Sequence, residues 1–170
     1  MYWTKKHVLV CTASHCAQKG ANEVIGKLRL DIVRRGLDIE ILINTCGTID
    51  LCDVGPNMVV YPDNIIYRGV TTKDLPEIIE HLRGGAVVER LLLSPDAPEE
   101  SERRAFYQSV WSDSAGLPAE EFTARAMTAG FDVAWIAEQQ RRGFVARKPG
   151  ETGDVISITK KARDRYSLAS

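Results

Sequence analysis

All four cysteines of this 170-residue chain lie in two short stretches, Cys11-Thr-Ala-Ser-His-Cys16 and Cys46-Gly-Thr-Ile-Asp-Leu-Cys52. Thiolate is a soft ligand, and four thiolates are the usual set around an iron–sulfur cluster or a structural zinc ion. In a reducing compartment, two close pairs read as metal ligands or redox thiols rather than as disulfides. Spacing discriminates among these chemistries. Zinc knuckles favour C-x(2–4)-C; the first pair, C-x4-C, sits at the upper edge of that range and the second, C-x5-C, lies outside it. A dithiol oxidoreductase would need C-x-x-C, which is absent. The metal-free reading is four unligated thiols, but buried cysteines of that kind fall inside strands and helices rather than on loops with glycine. His15, inside the first pair, reads as a neighbour of the centre or as exposed, because four cysteines already complete a ligand set. His7 and His81 read as structural.

Something must bring the two pairs together. The first follows the apolar run His7–Cys11 and the second follows Ile39–Asn44, so each pair is expected on a loop leaving a buried strand. The first run is continuous in apolar residues, which predicts a strand covered on both faces. Gly20 allows a turn, after which Ala21, Val24, Ile25, Leu28 and Ile32 recur at helical spacing and Gly36 ends the helix. Strand, helix and strand make a βαβ unit with parallel pairing, which sets the two cysteine loops side by side. Asp53–Asn57 reads as a turn, and Met58–Tyr61 with Ile65–Tyr67 as a hairpin around Pro62-Asp-Asn64. A second helix is capped from Thr71–Asp74, buries Leu75, Ile78, Ile79 and Leu82, and stops at Gly84-Gly85. Residues 7–85 thus read β-α-β-β-β-α, an α/β sandwich of the thioredoxin kind. Residues 87–93 form an apolar tail running along it.

The plant-type ferredoxin spacing fails, because Cys46 is too distant from Cys16 to be its third ligand. What fits is one pair after each of two consecutive strands. On Val10-Cys11-Thr12, Cys16 with Gly20-Ala21, Cys46-Gly47, Cys52-Asp-Val-Gly55-Pro56 and Val59-Val-Tyr61-Pro62-Asp63, followed by Tyr67 and the helix at 74–82, the chain resembles the thioredoxin-like [2Fe–2S] ferredoxins. It is similar in the same way to the related cluster-binding subunit of NADH dehydrogenases and bidirectional hydrogenases. The resemblance covers about half the chain, residues 7–93, and implies that Cys11, Cys16, Cys46 and Cys52 ligate a [2Fe–2S] cluster. Two departures are visible. The family's second pair is usually C-x3-C, whereas here it is C-x5-C, so Cys46 and Cys52 can swing apart in a cluster-free form. The first pair is shorter than in the free ferredoxins and matches the dehydrogenase-subunit version. Gly47 and Gly55 would let backbone N–H groups approach sulfur, and Asp50 and Asp53 beside the ligands would lower the potential.

Residues 94–102 read as a linker between a domain at 1–93 and a second at 103–170. Helices are expected at 103–111, 117–127 and 133–140, then strands at 143–147 and 155–159, which together resemble a small winged-helix-like α+β unit. Its third helix, with Trp135 and Ile136 expected in the core, offers only Gln139 and Gln140 for reading bases. Arg141, Arg142, Arg147, Lys148, Lys160, Lys161, Arg163 and Arg165 are available for phosphate, diluted by nearby Glu and Asp. A net charge of -1 argues against a surface that coats nucleic acid. No apolar run is long enough to cross a bilayer, so the protein is expected in the cytoplasm without membrane contact. There is no phosphate-binding Gly loop, nucleotide fingerprint or nucleophile–base pair, so the chain does not read as an enzyme. The expected function is one-electron transfer to a redox partner protein, with a homodimer as in the free ferredoxins. The rival is a redox-responsive regulator whose winged helix binds DNA, and a third reading is a colourless zinc protein.

Overall fold

The computed structural model describes residues 3–111, 116–151 and 153–168. The chain divides into two compact units, Met1–Leu93 and Ser94–Ser170. The first contains β1 (Lys6–Cys11), α1 (Ser14–Gln18), α2 (Ala21–Arg34), β2 (Ile41–Cys46), β3 (Met58–Tyr61), β4 (Ile65–Tyr67) and α3 (Leu75–Leu82). Its sheet runs β2-β1-β3-β4, with β1 parallel to β2 and antiparallel to β3. The β-α-β-β-β-α order is present, and α1 is an additional one-turn helix between the first strand and its crossover.

Alternation along the strands decides which face holds the core. Val8 and Val10, Ile41 and Ile43, and Met58 and Val60 are buried on one face, and the registers Val8↔Ile43, Val8↔Val60 and Val10↔Met58 set them in rows. The stripes of α2 (Val24, Ile25, Leu28, Ile32) and α3 (Leu75, Ile78, Ile79, Leu82) join the same cluster. Both helices therefore cover one face. The expectation that β1 is covered on both faces is corrected: His7 and Leu9 are only half buried, because α2 and α3 both pack on the opposite face. The tail after α3 forms a short 3-10 turn at Glu89–Leu91, and Leu93 N–H donates to Ile66 O at 2.8 Å beside β4.

The second unit contains α4 (Pro98–Trp111), β5 (Leu117–Pro118), α5 (Ala119–Thr128), α6 (Val133–Arg141), β6 (Val145–Gly150), β7 (Gly153–Ile158) and α7 (Lys160–Tyr166). Its antiparallel sheet runs β5-β7-β6. The segment expected as a linker, 94–102, is already helical from Pro98, a residue suited to a first helical position, with Glu99 and Glu100 at the positive end of the helix. Most of the connection expected at 148–154 is strand, while Thr152 lies outside the described residues. Phe106, Tyr107, Phe122, Phe144 and Tyr166 fill this core together with Ile136, and Trp135 stacks on Phe131 at 4.1 Å.

One polar cluster interrupts the core of the first unit. His81 is buried with Nδ1 2.8 Å from Tyr67 Oη and Nε2 3.2 Å from Asp63, and Val88 N–H donates to Tyr67 Oη at 3.1 Å. The Asp63 carboxylate can only accept, so the neutral imidazole carries its proton on Nε2 and its Nδ1 accepts from the Tyr67 hydroxyl, which in turn accepts from Val88 N–H. Burial lowers the His81 pKa, against the pull of Asp63, and the Lys6 ammonium that pairs with Asp63 lowers it further. A base whose folded pKa lies below its unfolded value stabilises the fold above the unfolded pKa and loses that contribution as pH falls. A His81→Gln variant should therefore have a lower thermal midpoint than wild type at neutral pH, and the gap should narrow as pH falls through ~6.5. Thermal unfolding followed across that range checks this; a gap that widens on acidification would contradict it.

Candidate metal centre

Strand register makes the first half of the site. In the parallel pair, Cys11 stands directly opposite Cys46, and Thr12 N–H donates to Cys46 O at 3.0 Å. Both cysteines are thus the last residues of their strands: Cys11 ends β1 as the run His7–Cys11 implied, whereas Cys46, expected on the loop after a strand ending at Asn44, extends β2 by two residues. Cys16 is fully buried on α1, whose first turn returns the chain toward β1. Cys52 lies in the turn after the second pair's intervening residues.

The sulfurs of Cys11, Cys16 and Cys52 lie within 4.8 Å of one another, with Cys11 and Cys52 3.9 Å apart. Cys46 packs on the same cluster together with Ala13, Ala21 and Ile49, but its sulfur stands outside that trio. His15 is half exposed on α1 and is not among the converging groups. Of the two glycines expected to sit close to sulfur, Gly55 does: a Cβ added there would lie 2.5 Å from Cys16 Sγ, whereas one added at Gly47 would meet nothing within 4 Å. Asp50 is exposed with φ of 60° and donates its N–H to Thr48 Oγ1, and Asp53 is half buried.

Two residues that sequence reasoning passed over hold the turn carrying Cys52. Asn57, fully buried, donates its side-chain amide to Leu51 O, while its own carbonyl accepts from Cys11 N–H at 3.0 Å. Lys19 reaches from the end of α1 to Cys52 O at 3.4 Å and Asp53 O at 3.0 Å. The sequence signal for Asn57 is a lone amide just before the apolar run of β3. Lys19 carries no signal, being one polar residue in a turn.

Crowded thiols share their protons unequally. Burial pushes Cys11 up, but the backbone N–H groups of Ala13 and Ile49 and the thiols of Cys16 and Cys52 more than offset this, leaving it below the usual thiol range. Burial pushes Cys16 up to about 12, with Cys11 and Cys52 adding to the effect. Cys46 and Cys52 are also raised, first by burial. One thiolate is easily formed and further ones repel it, which is the electrostatic situation a bound cation reverses. Soft donors in a pocket walled by Ala13, Ala21 and Ile49 suit zinc or an iron–sulfur cluster and not a hard, oxygen-seeking ion.

No family model matches the chain. A 2Fe-2S ferredoxin from Clostridium pasteurianum is 34% identical over 96 residues, covering 51% of this chain and 94% of that protein. A 2Fe-2S ferredoxin from Aquifex aeolicus is 38% identical over 106 residues, covering 55% and 93%. Among solved structures, the wild-type thioredoxin-like [2Fe-2S] ferredoxin from Aquifex aeolicus superimposes with a TM-score of 0.50 at 37% identity, over 54% of this chain and 98% of that one.

The close approach at Gly55 has a measurable consequence. Gly55→Ala should destabilise the first unit by about 1–3 kcal/mol, because the methyl must displace Cys16. Gly47→Ala should stay within about 0.5 kcal/mol of wild type. Urea unfolding of both variants checks the contrast, and equal stabilities would contradict the packing described.

Proposed function

The chain belongs to the thioredoxin-like [2Fe–2S] ferredoxins, and from that membership we propose that it is a one-electron carrier whose cluster is ligated by Cys11, Cys16, Cys46 and Cys52. The observation that carries this reading is the convergence of three sulfurs from two distant segments at the end of one parallel strand pair. Register supports Cys46 as the fourth ligand, since it faces Cys11 across the pair and shares its apolar cluster. The longer connection from Cys46 to Cys52 gives that sulfur room to close on the others. When bound, the cluster takes up and gives back a single electron, its net charge changing between about -2 and -3.

The protein's own residues do the rest. The paired strand ends fix the main chain at Cys11 and Cys46. Ala13, Ala21 and Ile49 exclude water from the sulfurs, and Gly55 leaves space for Cys16. No helix among the described residues is long and apolar enough to cross a membrane.

The second unit we read as a winged-helix-like module that docks the redox partner. Support comes from how its basic residues are engaged. Arg141 and Arg142 pair with Glu138, Arg147 with Asp154, Lys160 with Asp164 and Arg165 with Glu100. Lys161 lies over Phe144 and Arg163 over Trp111. Arg142 and Arg165 are largely buried in these pairs and brace the fold, which leaves fewer cations for phosphate and favours protein as the contact. Three exposed positions of α6, Val133, Ala134 and Ala137, are small and uncharged, whereas Gln140 and Arg141 at its end are also exposed.

Single Cys→Ser substitutions test the ligand set. Each of the four variants, purified without air, should lose most of its iron or show a shifted visible spectrum, Cys46→Ser as clearly as Cys52→Ser. A Cys46→Ser protein with unaltered iron, sulfide and spectrum would remove Cys46 from the set.

A further inference from the structure

The turn bearing Cys52 has three successive main-chain oxygens held by side chains or N–H groups from elsewhere. Asn57 takes Leu51 O, and Lys19 takes Cys52 O at 3.4 Å and Asp53 O at 3.0 Å. Within the turn, Val54 N–H donates to Leu51 O at 3.1 Å and Gly55 N–H to Cys52 O at 3.4 Å. The connection from Cys46 is two residues longer than the spacing usual in the family, so it needs holding from outside. Lys19 lies three positions after Cys16, at the end of the same short helix, and so ties the Cys16 segment directly to the Cys52 turn.

We propose that Lys19 is a positioning residue for Cys52 and, through its charge, a determinant of the centre's reduction potential. The inference rests on the electron-carrier reading above. Hydrogen bonds from a charged group are the stronger kind, and this ammonium holds the Asp53 carbonyl at 3.0 Å while a longer contact at 3.4 Å reaches the carbonyl of the ligand residue Cys52. The ammonium is thereby kept beside Cys52 instead of roaming in solvent. At contact range it lies well inside a Debye length of about 8 Å, so salt weakens its field without abolishing it. A cation held there favours the state of the centre that carries the additional negative charge. It opposes the lowering expected from Asp53, whose own carbonyl it grips.

The test compares wild type with Lys19→Met and Lys19→Arg. On anaerobically purified protein, redox titration followed by absorbance should give a lower midpoint potential for Lys19→Met and a value near wild type for Lys19→Arg. On the cluster-free chains, amide exchange at Val54 and Gly55 should quicken by about tenfold in Lys19→Met, with thermal midpoints nearly unchanged because the side chain is exposed. An unchanged potential in Lys19→Met, an equal drop in Lys19→Arg, or unchanged exchange at Val54 and Gly55 would each overturn the proposal. Wild-type protein holding no iron or sulfide would instead sink the electron-carrier reading and with it the potential; exchange in the cluster-free chains would then decide the positioning role alone.

Discussion

Parallel pairing of β1 with β2 sets Cys11 opposite Cys46, and the rest of the centre is arranged around that pair of strand ends. Because side chains alternate, a slip of one residue would turn each cysteine to the other face of the sheet. The slip is opposed by the rows Val8↔Ile43 and Val8↔Val60, whose side chains would have to leave the core to allow it. Burying one such side chain contributes roughly 1.5–3 kcal/mol, so moving several outweighs any local preference of the cysteine turns. The apolar core therefore fixes sulfur placement as a by-product of fixing register. Cys16 and Cys52 are then added by shorter-range means, a one-turn helix and a turn gripped from outside.

Much of this was legible in the residues. The hairpin at Met58–Tyr67 announces itself through Pro62-Asp63-Asn64, and α3 through its apolar spacing and terminal glycines, although Asp74 before it makes no side-chain cap and accepts from Thr71 instead. The cysteine pairs could be placed at strand ends because apolar runs precede them. Other features are not local and so left no pattern. A helix as short as Ser14–Gln18 has too few residues to display a period. Lys19 matters only because a turn distant in sequence comes to it. The one-sided covering of β1 depends on where α2 and α3 pack, which the run His7–Cys11 does not encode. In the second unit, β5 is two residues long, and α7, seven residues capped by Thr159 accepting from Ala162 N–H, is too short to show a clear period.

The two units use charge differently. In the first, an ammonium is held against carbonyl oxygens beside a group of thiols that would otherwise repel one another's ionisation. In the second, cations are matched to carboxylates and aromatic faces within the same fold. Glu100, buried at the start of α4, receives both Arg103 and Arg165, which ties α7 back onto the first helix of that unit. A buried carboxylate needs such partners, so these arginines are structural before they are anything else.

The central claim is that sulfurs from two strand-end segments hold a pair of bridged irons. It is tested most directly by measuring iron, acid-labile sulfide and zinc on one sample purified without air, alongside its visible absorption. The account predicts a coloured protein with about two iron and two sulfide per chain. A pale protein carrying zinc and no sulfide would contradict it.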